Sequence, residues 1–325
     1  MRFYPLIALV AAARLGAAQQ DVPLVLNSPL RLPRPGMVLS VVEENDKFVP
    51  TNKDRYYTQG LRLSFNTDEN HYWALTQEIN TPSDTNNSNP PDTDLPYSGA
   101  LYLTYGYGTI LDRGGRRDCL FTAEFQFGVI GPASGAKNVQ NKFHDLVGIA
   151  HPAGWDTQLP NEPAMNLNLE FKRRFDLDGA KKNLRDLIAR GQLQVGTLRT
   201  EVVLGAQYRW GWDLDRSWGH GTIRHSNSYQ PVDGFNLPTD GPVISSWFFL
   251  DAQTEVVVRN YATDGTNFVN SRSVTRRAVV LQLSLGTTFH FYHLSGTYFV
   301  SLRTKDFETQ EDFHCFGGLK ADIKF

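Results

Sequence analysis

The last eight residues, "GLKADIKF", alternate without a break. Leu319, Ala321, Ile323 and Phe325 fall on one face of an extended chain, and Lys320, Asp322 and Lys324 fall on the other. Period-two alternation marks a strand with one apolar face and one wet face. The pattern recurs upstream. Phe121, Ala123, Phe125, Phe127 and Val129 oppose Thr122, Glu124, Gln126 and Gly128; Leu281, Leu283 and Leu285 oppose Gln282 and Ser284; Tyr298, Val300 and Leu302 oppose Thr297, Ser301 and Arg303. Strands of this kind have two ways to hide their apolar faces. A β-sandwich buries them against each other, whereas a closed membrane barrel turns them to lipid and keeps the polar face inside.

Three features favour the barrel. Strands of about ten residues suit a tilted membrane span. Tyr102, Tyr105, Tyr107, Tyr208, Trp210 and Trp212 gather near strand ends, where aromatic girdles sit. The terminal Phe325 closes the final strand with an aromatic residue, as outer-membrane proteins do for their insertion machinery. The opening "MRFYPLIALVAAARLGAAQQ" has a basic start, an apolar run and small residues, which predicts a secretory signal peptide over 1–18, cut near Ala18. After it, no run approaches the roughly 20 apolar residues of a transmembrane helix. The expectation is an all-β chain: a twelve-stranded antiparallel transmembrane β-barrel over 19–325, with a secreted sandwich as the alternative.

The spacing predicts strands near 37–46, 57–66, 71–80, 97–108, 119–130, 165–177, 185–196, 199–212, 244–259, 274–289, 294–306 and 313–325. Twelve is even, as a single-chain barrel with both ends on the periplasmic side requires. If the first strand runs outward, the external connections are 47–56, 81–96, 131–164, a tight turn near 197, 260–273 and 307–312, and the long 213–243 segment falls on the periplasmic side. Cys119 and Cys315 then lie at opposite rims, too far apart for a disulfide, so two unpaired thiols are expected. Lys and Arg total 32 against 34 Asp and Glu, which offers no basic face for nucleic acid, and a monomer is expected.

This layout brings chemically rich residues to the outer rim. Asn45 and Asp46 end strand one; Asp54, Arg55, Tyr57 and Thr58 open strand two; Asp84, Asp94 and Tyr97 flank the second external loop. In the third external loop, "NVQNKFHDLVG" reads as a short helix with Gln140 and His144 four residues apart and therefore on one face. Laid against the barrel wall, that helix would bring His144 over the carboxylate of Asp46, a general base beside a cation site.

The ordered motifs "ENDKF", "DRYYTQGLRL", "INTPSD", "DLPYSG", "GVIGPASGAKNVQNKFH", "GWDTQLPNEP" and "TDGTNF" resemble the lipid A 3′-O-deacylases of the Gram-negative outer membrane. The resemblance implies an active site at the outer rim, between the wall and the helix of the third external loop, and a calcium-dependent esterase acting on lipid A in lipopolysaccharide. It assigns Asn45, Asp46, Thr58, Gln140 and His144 to the site, with His144 as the base. In this chain Asp94 is followed by Leu95 where the family often has Arg, so Lys53, Arg55 or Lys142 would supply a phosphate or oxyanion contact, with Tyr97 beside them. Ala150 and Pro152 stand where a member can carry polar site residues.

Calcium prefers oxygen ligands, which Asp46, Asn45 and nearby main chain can offer. The expected mechanism has His144 activating water and Ca²⁺ near Asp46 stabilising the oxyanion, while Gln140, Asn45 and Thr58 orient the reactants. Two rival classes stand beside it. "RHSNSY" places His225 near Ser226 and Ser228, as a serine-type deacylase or outer-membrane phospholipase would, and a structural barrel or pore would need no such grouping at all.

Overall fold

A computed structural model describes residues 37–49, 55–112, 114–179, 184–214, 217–225, 229 and 244–325. The proposed signal peptide lies outside the described residues. Within them run twelve strands: β1 (Val38–Asn45), β2 (Tyr56–Asn66), β3 (His71–Thr81), β4 (Ser98–Leu111), β5 (Cys119–Ile130), β6 (Glu162–Asp176), β7 (Arg185–Gly196), β8 (Arg199–Trp212), β9 (Ile244–Asn260), β10 (Val279–Phe291), β11 (Leu294–Arg303) and β12 (His314–Lys324). Each pairs antiparallel with its sequence neighbours, and β12 returns to pair with β1, so the sheet closes into a barrel. Closure excludes the sandwich.

Strand number and order match the sequence expectation. The largest boundary shift is β10, which begins at Val279 rather than near 274. Residues just before it are held elsewhere: Val274 N–H donates to the Thr263 carbonyl at 2.7 Å, and Arg276 forms an isolated bridge with Phe307. The helix α1 spans Ala136–Val147 in the long β5–β6 connection. No helix among the described residues is long and apolar enough to cross a membrane. Cys119 and Cys315 form no disulfide with each other, as expected.

Alternation along the strands sorts side chains by face. Leu39, Val41, Leu63, Phe65, Leu75, Phe125, Phe127, Leu281 and Leu283 point outward and are exposed, forming the apolar belt. Inward positions are polar and buried, and they carry ion pairs: Arg62 with Glu124 at 2.6 Å, Arg190 with Asp251 at 2.5 Å, Arg209 Nε with Asp186 at 2.8 Å and Arg303 Nη2 with Glu255 at 2.5 Å. Such charges need partners on all sides once water is excluded.

The segment after β8 supplies some of them. The sequence layout makes 213–243 a loop beyond the barrel end, yet residues 217–225 run inside the barrel. Gln207 holds His220 at both backbone polar groups, accepting from its N–H at 3.0 Å and donating to its carbonyl at 3.2 Å. Further along, Ile223 N–H donates to Glu44 at 2.7 Å, and Arg224 donates to Asn80 Oδ1 at 2.5 Å with its guanidinium 3.9 Å from the Tyr57 ring centre. Glu44 and Asn80 lie near the rim opposite to the one where β8 ends, so the segment crosses most of the lumen. Tyr229 is back at the starting rim, stacked on Tyr72 with ring centres 5.3 Å apart. Among the described residues, this polar chain occupies the lumen along its path and satisfies polar groups of the inner wall.

Candidate active site

One row of residues crosses four strands at the rim that carries α1. Asn45 pairs with Gln59, Gln59 with Ile79, and Ile79 with Gly99. By alternation Asn45, Ile79 and Gly99 point outward, where the apolar belt is exposed. Here they are buried: Asn45 is 4% exposed and Ile79 is 0% exposed. Over Ile79 and Gly99 the covering element is α1. Val139 of α1 joins a cluster of Ile79, Tyr97, Ala136 and Trp155, and a Cβ on Gly99 would lie 2.2 Å from the Ala136 Cβ. Only the missing side chain at Gly99 lets the helix approach so closely.

The local sequence explains the helix. Gly135 and Gly148 bracket it, both at φ 71, a left-handed conformation that glycine adopts without penalty. Ala136, Gln140 and His144 recur every four residues and are its buried face. Gln140 is fixed by Trp155, whose indole N–H donates to the amide oxygen at 2.8 Å. His144 Nδ1 is 2.6 Å from the Ala150 carbonyl oxygen. The helix therefore presents one amide and one imidazole, each oriented by a residue of the returning loop, toward the wall.

On the wall side, Asn45 caps a single 3-10 turn (Asp46–Phe48), accepting the Lys47 N–H at 2.9 Å. Asp46, 1% exposed, accepts the Arg55 N–H at 2.7 Å, which ties the first residues of β2 to the end of β1. Thr58 sits at a bulge in the β2–β3 pairing, and its hydroxyl lies 2.6 Å from that of Thr81, two residues beyond Ile79. The bulge adds the residue that re-aims this hydroxyl. Asn45 is thus two strands from Ile79, about 10 Å at ordinary strand spacing.

The remaining expected residues divide. Lys142 is exposed on the opposite side of α1 from the wall. Arg55 pairs with Glu311 at 3.4 Å and Asp312 at 3.3 Å, both carboxylates being exposed. Tyr97 is wholly buried, its ring centre 5.0 Å from that of Trp155, and its hydroxyl donates to the Thr85 carbonyl, so it forms part of the helix support. Lys53 lies outside the described residues. Trp155 and Thr81 were not singled out from the sequence, and neither carries a spacing signal that would have found them.

Among the described residues, one group of three carboxylate and imidazole side chains is close enough to hold a metal ion: buried Glu201, His225 and Glu255 inside the barrel, with ligand atoms within 4.8 Å of one another. It is not the Asp46 site. His225 turns Nε2 to Glu201 at 3.1 Å and Nδ1 to Glu255 at 3.4 Å, while Glu255 also grips Arg303 with both oxygens. The imidazole thus ties the lumen segment to β8 and β9. A histidine engaged in this way is poorly placed to activate a serine, and Ser226 and Ser228 lie outside the described residues.

A model of the family described as "Outer membrane protein LpxR" matches residues 6–325. The chain belongs to this family. Among solved structures, LpxR from Salmonella typhimurium superposes with a TM-score of 0.73 at 18% identity, covering 89% of this chain and 100% of that one. The translocator domain of autotransporter NalP from Neisseria meningitidis gives 0.41 at 12% identity over 90% of each chain. The beta domain of the Bordetella autotransporter BrkA also gives 0.41, at 10% identity over 89% of this chain and 98% of that one. No curated protein matches. Membership of the LpxR family agrees with the lipid A 3′-O-deacylase motifs and places the barrel in the outer membrane.

Proposed function

We propose that this protein is a Ca²⁺-dependent hydrolase of the 3′ acyloxyacyl ester of lipid A, with its site facing the cell exterior. The observation that carries the reading is the buried patch on the outside of the wall. Asn45, Asp46 and Thr58 are buried where β1 ends and β2 begins, and α1 packs its buried Gln140 and His144 face on the neighbouring β3 and β4 beside the lipid belt. A site spanning the two would receive an ester of a membrane lipid without its leaving the leaflet.

The donor chemistry fits calcium. Asp46 offers a buried carboxylate and Asn45 an amide oxygen that is only partly used by Lys47 N–H, and hard oxygen ligands are what this cation takes. Asp46 and Asn45 would hold it, and when bound it supplies positive charge for the developing oxyanion. The chain's own groups do the rest. With Nδ1–H donated to Ala150, the Nε2 of neutral His144 accepts a proton from the attacking water and later returns it to the leaving alkoxide. Gln140, locked through its amide oxygen by Trp155, directs its N–H₂ groups as donors to water or substrate. Thr58 and Asn45 orient the reactants from the wall side. Lys142 and Arg55, with Lys53, are proposed as contacts for the lipid A phosphates.

The test is mass spectrometry of lipid A from a strain expressing the wild-type chain, His144→Ala, and wild type treated with a calcium chelator. Loss of the 3′ acyloxyacyl group only in untreated wild type supports the reading. Full deacylation by His144→Ala overturns the mechanism, and none by wild type in calcium overturns the activity.

A further inference from the structure

The C-terminal end of α1 is apolar and bare. Leu146 is 82% exposed, Val147 46% and Ile149 40%, while the same helix buries Ala136, Gln140 and His144. These side chains do not stand on the watery top of a soluble domain. The helix is mounted on the outer surface of the barrel: Gln77, outward on β3, donates to the Ser134 carbonyl just before α1 at 2.8 Å, and Gln77 is only two residues beyond Leu75 of the exposed belt. The start of α1 is therefore fixed to the surface that faces lipid, and Leu146, Val147 and Ile149 stand at the other end of the same helix.

Charge follows the same arrangement. Lys142 is exposed and lies four residues before Leu146, hence on the same helical face. Beyond the tip, His151 Nε2 is 2.7 Å from Asp145, an exposed polar pair. An ammonium on a flexible stem, one turn from bare apolar side chains, is the pattern of a helix lying at a membrane interface, with its cation among phosphates and its apolar side chains below them.

We propose that Leu146, Val147 and Ile149 form a wedge inserted into the acyl chains of the surrounding leaflet, just under the headgroups. The wedge anchors the end of α1 that carries His144, so lipid contact helps hold the helix against the wall. The occupant is the membrane itself, and the contact does not depend on ester hydrolysis.

Depth-dependent quenching tests this. Leu146→Cys, Ile149→Cys and, as a control on the exposed start of α1, Asn138→Cys are made with Cys119→Ser and Cys315→Ser, and each is labelled with an environment-sensitive fluorophore. The full chains are refolded into phosphatidylethanolamine and phosphatidylglycerol vesicles with or without lipids brominated on the chain near the headgroup, with folding checked by heat-modifiable gel mobility. The expected result is several-fold stronger quenching at 146 and 149 than at 138. Quenching that is absent at 146 and 149, or equal at all three positions, overturns the wedge. Because these vesicles contain no lipid A, either result leaves the proposed activity to its own test.

Discussion

His144 Nδ1 lies 2.6 Å from the carbonyl oxygen of Ala150. A carbonyl oxygen can only accept, so that ring nitrogen carries the hydrogen and Nε2 is the basic one in the neutral ring. The contact is to main chain, which leaves the side chain at 150 free to vary. His144→Ala is expected to lower the rate of lipid A deacylation about 10²- to 10⁴-fold, the usual range for a general base. Ala150→Ser, which keeps the carbonyl, should change it by less than about threefold. Rates on purified lipid A in detergent micelles, followed by release of the fatty acid, check both.

Trp155 is the second orienting group. Its indole N–H holds the Gln140 amide oxygen at 2.8 Å inside a packed cluster with Tyr97 and Ile79. Trp155→Phe keeps an aromatic ring in the cluster and deletes the donor, so Gln140 can turn over. A neutral hydrogen bond is worth about 1 kcal/mol net, so kcat is expected to fall about two- to tenfold with KM little changed. A change in KM alone would mean that Gln140 binds substrate without acting in the transition state.

Gly99 decides how closely α1 can approach. A methyl group there would lie 2.2 Å from the Ala136 Cβ and 2.5 Å from the Ser134 hydroxyl. Gly99→Val should therefore lift the helix from the wall and lower activity to near the His144→Ala level. The barrel itself should survive, because the β4 ladder is unchanged and overpacking of this kind costs about 1–3 kcal/mol. Heat-modifiable gel mobility reads the barrel, and protease sensitivity within 136–150 reads the helix.

The strands were legible because each shows period-two alternation, and pairing partners followed from order alone. Alternation tells which way a residue points but not what covers it. Asn45 and Ile79 could be seen to share the lipid-facing side, whereas the burial of Ile79 depends on α1, more than fifty residues later. Gln140 and His144 were readable from their i, i+4 spacing, and their link to Asn45, Asp46 and Thr58 came from the family motifs. Trp155 lies inside the motif "GWDTQLPNEP", but nothing in that stretch marks it as the partner of Gln140. The lumen segment was hidden for a different reason. Ile223, Arg224 and His225 follow no period, since their partners, Glu44, Asn80, Glu201 and Glu255, come from β1, β3, β8 and β9.

Calcium dependence should reside at the Asp46 rim. Asp46→Ala and Asn45→Ala each remove an oxygen donor, so both are expected to raise the calcium concentration for half-maximal activity, at least about tenfold for the carboxylate. Glu201→Gln, inside the barrel, should leave that concentration unchanged. A calcium titration of deacylation in chelator-treated protein separates the two places. Equal effects of Asp46→Ala and Glu201→Gln would move the cation away from the helix.

The filled lumen predicts electrical silence. Residues 217–225 occupy the interior, bonded to Gln207, Glu44 and Asn80 along its length, and inward Arg62, Arg190, Arg209 and Arg303 each pair with a carboxylate. In planar bilayers the wild-type chain should show no steady conductance, which separates it from a pore. Deleting 213–243 and joining the strands by a short turn should open the interior, because it leaves Glu44 and Glu201 without their partners from the segment, and stranded buried charge draws water. The deleted chain is expected to conduct and to lose thermal stability. It should retain some deacylation, since α1 and its patch lie on the other side of the wall. Steady conductance of the wild-type chain would refute the filled barrel. Complete loss of deacylation by a folded deletion chain would show instead that the segment supports the site through Glu44 and Tyr57.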